Sequence, residues 1–142
     1  MSPLNREVLR RKLERIVLNL RLMEPFQRMP IEDYLADVYR RKALERLLQE
    51  IVEAAVDINS HVLVESGRPA PDDLYTSFLN MADLGVFDRD FAERIAPSSG
   101  LRNRLVHGYD AIDDSLVLQA VKIALEQYST YVAKVESYLL QR

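Results

Sequence analysis

The stretch LERLLQEIVEAAVDINSHV, residues 44–62, decides the fold. Within it Leu44, Leu48, Ile51, Ala55, Ile58 and Val62 recur in alternating steps of four and three. That spacing returns an apolar side chain to one face of a helix and makes a seam for neighbouring helices. The helical pattern extends outward from about Ile31 to Ser66, with Gly67 placed as its C-terminal cap. About 36 helical residues would span ~54 Å, whereas a domain of this size has a radius of gyration of ~14–15 Å. A bend or break before Leu44 is therefore expected.

Toward the N-terminus, Ser2 followed by Pro3 reads as an N-cap with proline at the first helical position. Leu9, Leu13, Ile16 and Leu20 give one apolar stripe to a helix from about Leu4 to Met23, and Pro25 and Pro30 bracket a short linker. Beyond Gly67, Arg68-Pro69-Ala70-Pro71 is a stiff connector. Asp72 or Asp73 can cap a short helix ending near Leu84-Gly85, and Asp88 can cap another through Phe91, Ile95 and Leu101. Pro97-Ser98-Ser99-Gly100 is poor helix material and predicts a kink or break within the latter, before Gly108 ends it. Asp113 or Asp114 starts a last long helix. Its stripe is Val117, Val121, Ala124, Tyr128, Tyr131, Val135 and Tyr138, with Leu118, Leu125, Val132 and Leu139 every seven residues beside it. No run alternates with period two for long enough to be a strand. The expected architecture is one all-α domain over residues 1–142, with three long helices and shorter ones between.

Composition narrows the function. Lys plus Arg total 19 against 22 Asp plus Glu, a formal charge of −3, so a global polycation is excluded while a local basic patch is not. Six cations (Arg6, Arg10, Arg11, Lys12, Arg15, Arg21) against Glu7 and Glu14 near the N-terminus form one candidate patch, and Arg40, Arg41 and Lys42 form a second. Either can track an RNA backbone, contact an acidic partner, or simply face solvent. There is no cysteine, which removes disulfides, thiolate metal sites and a cysteine nucleophile. The two histidines, His61 and His107, are too few for a histidine-rich metal centre, so no metal and no cofactor are expected. Glycines 67, 85, 100 and 108 are isolated, so no phosphate-cradling glycine motif is present. No targeting signal and no ~20-residue apolar run are visible, which sets the expected location as the cytoplasm, away from membranes.

One segment is not bundle filler: Gly100-Leu101-Arg102-Asn103-Arg104-Leu105-Val106-His107-Gly108-Tyr109-Asp110. It gathers guanidinium, amide, imidazole and phenol beside a helix end. Asn103 and His107 are four apart and share a helix face, so the amide can orient the imidazole. Arg102 and His107 are five apart, ~140° around an ideal helix. Either the helix distorts there or a second copy of the chain completes the site. An imidazole that exchanges a proton near neutrality suits general acid–base work, and an arginine fork suits charge developing on a phosphate. Together they fit attack of a ribose 2′-hydroxyl on the adjacent phosphorus without a metal. Equally open from spacing alone, and more economical, is a solvated Arg–Asn–Arg face with His107 as a helix cap and Tyr109 as a packing residue. Asp57 and His61, four apart, can pair on a helix surface or line the same cleft.

The run RNRLVHGY, followed by Asp110 and Ile112, resembles the signature of the HEPN superfamily, within it the HepT-type toxins of MNT–HEPN toxin–antitoxin systems. Their pattern is Arg, four residues, His, one residue, Tyr, with a polar residue often after the Arg. Arg102, Asn103, His107 and Tyr109 fill those places. The segment VDINSHV, residues 56–62, also resembles the middle of these proteins, so the likeness covers most of the chain.

The resemblance implies an up-and-down helical bundle that acts as a homodimer, with two Arg–His motifs sharing one cleft. It implies a type VII-like toxin, a metal-independent endoribonuclease acting on tRNA or mRNA, with Arg102 and His107 catalytic and Asn103 and Arg104 supporting. It implies as partner an MNT-domain nucleotidyltransferase antitoxin that transfers AMP to Tyr109, and leaves open a larger heteromeric complex. No DNA partner is expected. The alternative is a non-catalytic nucleotide-binding subunit of the nucleotidyltransferase.

Overall fold

Three long helices carry the molecule: α1 (Pro3–Met23), α3 (Val38–Glu65) and α7 (Asp114–Leu140). Between them lie α2 (Ile31–Leu35), α4 (Leu74–Asp83), α5 (Arg89–Ile95), α6 (Ser98–His107) and a 3₁₀ turn at Glu24–Phe26. The structure, a computed structural model, describes residues 3–108 and 112–142, and no strand occurs among them. The N-cap expected at Ser2 lies outside the described residues. The long helices form an up-and-down bundle in which α1, α3 and α7 pack on one another, while α4, α5 and α6 close the remaining side.

The apolar stripes account for the core. Leu9, Leu13, Ile16 and Leu20 of α1 are buried, as is the whole α3 seam from Leu44 to Val62. On α7, Val117, Val121, Ala124, Tyr128, Tyr131 and Val135 are buried, and Tyr138 is partly so. The expected break before Leu44 falls at Ala36–Asp37. There Asp37 turns extended (φ −131, ψ 108), and its carboxylate accepts from the amides of Tyr39 and Arg40. Asp73, Asp88 and Asp113 cap α4, α5 and α7 in the same way. Gly67 stops α3 at φ +79, with Arg68 N–H donating to Leu63 O and Gly67 N–H to Val64 O. This pairing requires a left-handed residue at position 67.

Around Pro97 the structure refines the sequence reading. Only the Ala96–Pro97 junction interrupts the path; Ser98, Ser99 and Gly100 form the first turn of α6. Proline is tolerated here because a helix start has no use for its missing N–H. Ser98 Oγ lies 2.6 Å from the Tyr128 hydroxyl, and Ser99 Oγ donates to Ala96 O at 2.8 Å. These bonds give two residues of poor helix propensity a role at the junction.

A polar knot crosses the core. The Tyr131 hydroxyl donates to Asn59 Oδ1 at 2.6 Å, and Asn59 Nδ2 donates to Ser77 Oγ at 3.0 Å. Burial holds the Tyr131 phenol well above the usual tyrosine range, so it remains a donor. Tyr131→Phe strands the buried Asn59 oxygen, at an expected cost of about 1–3 kcal/mol. Urea unfolding at fixed protein concentration should show a lower midpoint with an unchanged slope; an unmoved midpoint would refute this account of the knot.

Candidate active site

The signature segment lies on α6, which packs against α3 and α4. The helix is continuous from Ser98 to His107, and Gly108 N–H closes its end on Arg104 O at 2.8 Å. No distortion swings Arg102 and His107 onto one face, so one copy of the helix separates them by ~140°. Arg102 is only 23% exposed and His107 is exposed at the helix terminus.

Arg102 is held rather than free. Its Nη2 lies 3.5 Å from Glu53 Oε2 on α3, and its Nη1 donates to Asn103 Oδ1 at 3.3 Å. Its Nε is buried without a partner. Asn103 therefore engages the guanidinium, and among the described residues no hydrogen bond joins it to His107. Arg104 stands three residues before His107, on the same helix face. It borders a cavity of about 460 Å³ between α3, α6 and α7, lined mainly by apolar side chains including Leu101, Leu105, Ile112 and Leu116. Tyr109 lies outside the described residues, so the modification site has no coordinates to test it.

Ion pairing bears on two expectations. Asp57 does not pair with His61; its Oδ2 takes Lys12 Nζ of α1 at 3.1 Å, and His61 is exposed. The cations of the basic clusters are mostly exposed and ion-paired along the surface. Arg10 and Arg11 meet Glu7, Arg15 meets Glu50, Arg40 meets Asp37, Arg41 meets Asp114 and Lys42 meets Glu45. A second cavity, of about 420 Å³, separates α1 and α3, with Arg11, Lys12, Arg15 and Arg46 facing Glu50, Glu53 and Asp57. Glu53, which no spacing rule links to the motif, is where that groove meets Arg102. Among the described residues no group of three or more His, Asp or Glu side chains could hold a metal, and no helix is long and apolar enough to cross a membrane.

Comparison with known proteins converges. The family described as "Ribonuclease HepT-like" matches residues 11–135. A tRNA nuclease HepT from Aphanizomenon flos-aquae is 40% identical over 145 residues, covering 99% of this chain and 95% of that protein. An mRNA nuclease HepT from Shewanella oneidensis is 26% identical over 60% of this chain and 64% of that protein. In three dimensions, a tri-AMPylated Shewanella oneidensis HEPN toxin solved in complex with an MNT antitoxin superposes with TM-score 0.82 at 19% identity, covering 96% of this chain and 99% of that one. A toxin–antitoxin structure with AMP-PNP gives TM-score 0.83 at 18% identity, covering 92% and 98%.

The helix end makes its own demand. At Gly108 a Cβ would stand 2.6 Å from Arg104 O, a backbone atom that cannot rotate away. Gly108→Ala is expected to open the last turn of α6 while the bundle persists. Amide NMR shifts confined to residues near 104–108, with an unchanged far-UV spectrum, would bear this out; an unperturbed helix end would not.

Proposed function

The chain belongs to the HepT-like family of HEPN ribonuclease toxins, and from that premise we propose that it cleaves RNA through Arg102 and His107. The observation that carries this reading is their placement on one regular helix end, with the guanidinium half-buried and anchored and the imidazole open to solvent. In the reaction the ribose 2′-oxygen attacks the adjacent phosphorus as His107 takes its proton and passes it to the departing 5′-oxygen. The bond from phosphorus to the 5′-oxygen breaks, and Arg102 stabilises charge on the phosphoryl oxygens. The products are a 2′,3′-cyclic phosphate and a free 5′-hydroxyl. Asn103 steadies Arg102, and Arg104 offers a second cation on the side of His107. Every step is met by a side chain, so the chemistry runs without a metal.

A second copy brings the other half of the motif. The apolar cavity beside α6, with Leu116 and Ile123 exposed near it on α7, supplies a face suited to that pairing. The tRNA assignment of the relative from Aphanizomenon flos-aquae favours tRNA as substrate, with mRNA the alternative. The complexed structural neighbours support an MNT nucleotidyltransferase as antitoxin, with Tyr109 as the acceptor of AMP. Adenylylation two residues from His107 would add bulk and negative charge where an RNA phosphate must approach.

Arg102→Ala and His107→Ala are each expected to abolish cleavage of RNA in EDTA while helicity and assembly persist. Parental cleavage by both variants would remove the assignment. If the parent never cuts, the phosphate-gripping subunit is the better reading. Tyr109→Phe is expected to keep cleaving but to gain no mass on incubation with the nucleotidyltransferase and ATP. An undiminished mass gain by intact-mass spectrometry would relocate the modification.

A further inference from the structure

We propose that Glu53 is a positioning residue that fixes the Arg102 guanidinium for the phosphate; this rests on the reading above, in which Arg102 is catalytic. Three acids of α3, Glu50, Glu53 and Asp57, follow a helical row beside α1. Glu50 is taken by Arg15 and Arg46, and Asp57 by Lys12. Glu53 borders the same groove, but its Oε2 lies 3.5 Å from Arg102 Nη2 of α6. Among the described residues this is its ion pair, so the middle acid of the row serves the motif while its neighbours serve the α1 interface.

The geometry fits a clamp. The Arg102 stem is packed, its Nε enclosed, and its side chain 23% exposed. Its two terminal nitrogens are drawn to acceptors on different helices: Glu53 of α3 for Nη2, Asn103 of α6 for Nη1. Each terminal nitrogen carries two N–H groups. One acceptor apiece leaves one N–H on each to meet phosphoryl oxygens. Without Glu53 the fork turns about its last torsions and must be ordered again in the transition state. Misplacement of a catalytic group by about 1 Å can cost ~10²-fold, and such groups are held by supporting residues rather than by their own rotamers. The carboxylate also opposes an incoming phosphate. Its removal is therefore expected to weaken turnover more than binding.

The test compares kcat and KM for RNA cleavage by the parent, Glu53→Ala and Glu53→Gln, with helicity checked by circular dichroism. Glu53→Ala is expected to lower kcat about tenfold or more with KM changed by less than about threefold. Glu53→Gln, which keeps shape and loses charge, is expected to fall between the two, and carries the test alone if Glu53→Ala fails to fold. The same substitution made in Arg102→Ala should leave the affinity for a non-cleavable 2′-deoxy substrate analogue unchanged within about twofold, because Glu53 acts through Arg102. Parental or raised kcat in the single variants, or a further loss of analogue affinity in the double variant, overturns the proposal. A fully active Arg102→Ala overturns instead the reading on which it rests.

Discussion

Helix α3 is packed on by α1, α2, α4, α6 and α7, so between Leu44 and Leu63 it must meet neighbours on several sides. Its seam of Leu44, Leu48, Ile51, Ala55, Ile58 and Val62 is not enough to meet five neighbours; Val52, Ala54, Asn59 and Leu63 are buried as well. A single amphipathic stripe suits a surface helix, whereas contact with several neighbours demands apolar or fully bonded residues on more than one face. Asn59 meets that demand by bonding Tyr131 of α7 and Ser77 of α4. The polar contacts thus fix which helices adjoin α3, while the apolar ones supply most of the burial.

The same helix orders the candidate site. On the sector where α3 is not sealed, Glu50, Glu53 and Asp57 neutralise cations from α1, from α3 itself and from α6. The motif helix is therefore seated on α3 by packing and addressed by α3 through charge. Pro97 sets where α6 begins and Gly108 where it ends, so the helix presents His107 at its last residue. A longer α6 would carry the imidazole into a helix interior, and a shorter one would lose it to a loop.

Local chemistry explains how much of this was legible in the sequence. The stripes of α1, α3 and α7, the caps at Asp73, Asp88 and Asp113, and the stop at Gly67 each depend on residues within a turn or two, which spacing reads directly. The motif was legible by residue type. What spacing could not read was pairing across helices. Lys12 with Asp57 and Arg102 with Glu53 are joined only after the bundle closes. For that reason Asp57 and His61, four apart, read as a pair from spacing alone. The break at Pro97 was legible as well, but that Ser98 and Ser99 open the next helix was not, because these weak helix formers are bonded to Tyr128 and Ala96 only once folded.

Neutralisation of the clustered cations changes how the chain can meet a polyanion. Affinity for a phosphate backbone grows with the number of phosphates that cations neutralise. Here most clustered cations already have acids, and the formal charge is −3. Among the described residues Arg94 and Arg104, at the rim of the cavity beside α6, take part in no ion pair, and Arg102 keeps N–H groups to spare. Exposed Arg21, Arg28, Arg68, Lys122 and Lys134 likewise take part in no ion pair among the described residues, so uncompensated positive charge lies on several faces as well as at the motif. What sets the motif apart is fixity: the Arg102 guanidinium is packed at its Nε and addressed by Glu53 of α3, whereas an exposed lysine or arginine on a free helix face has no such constraint.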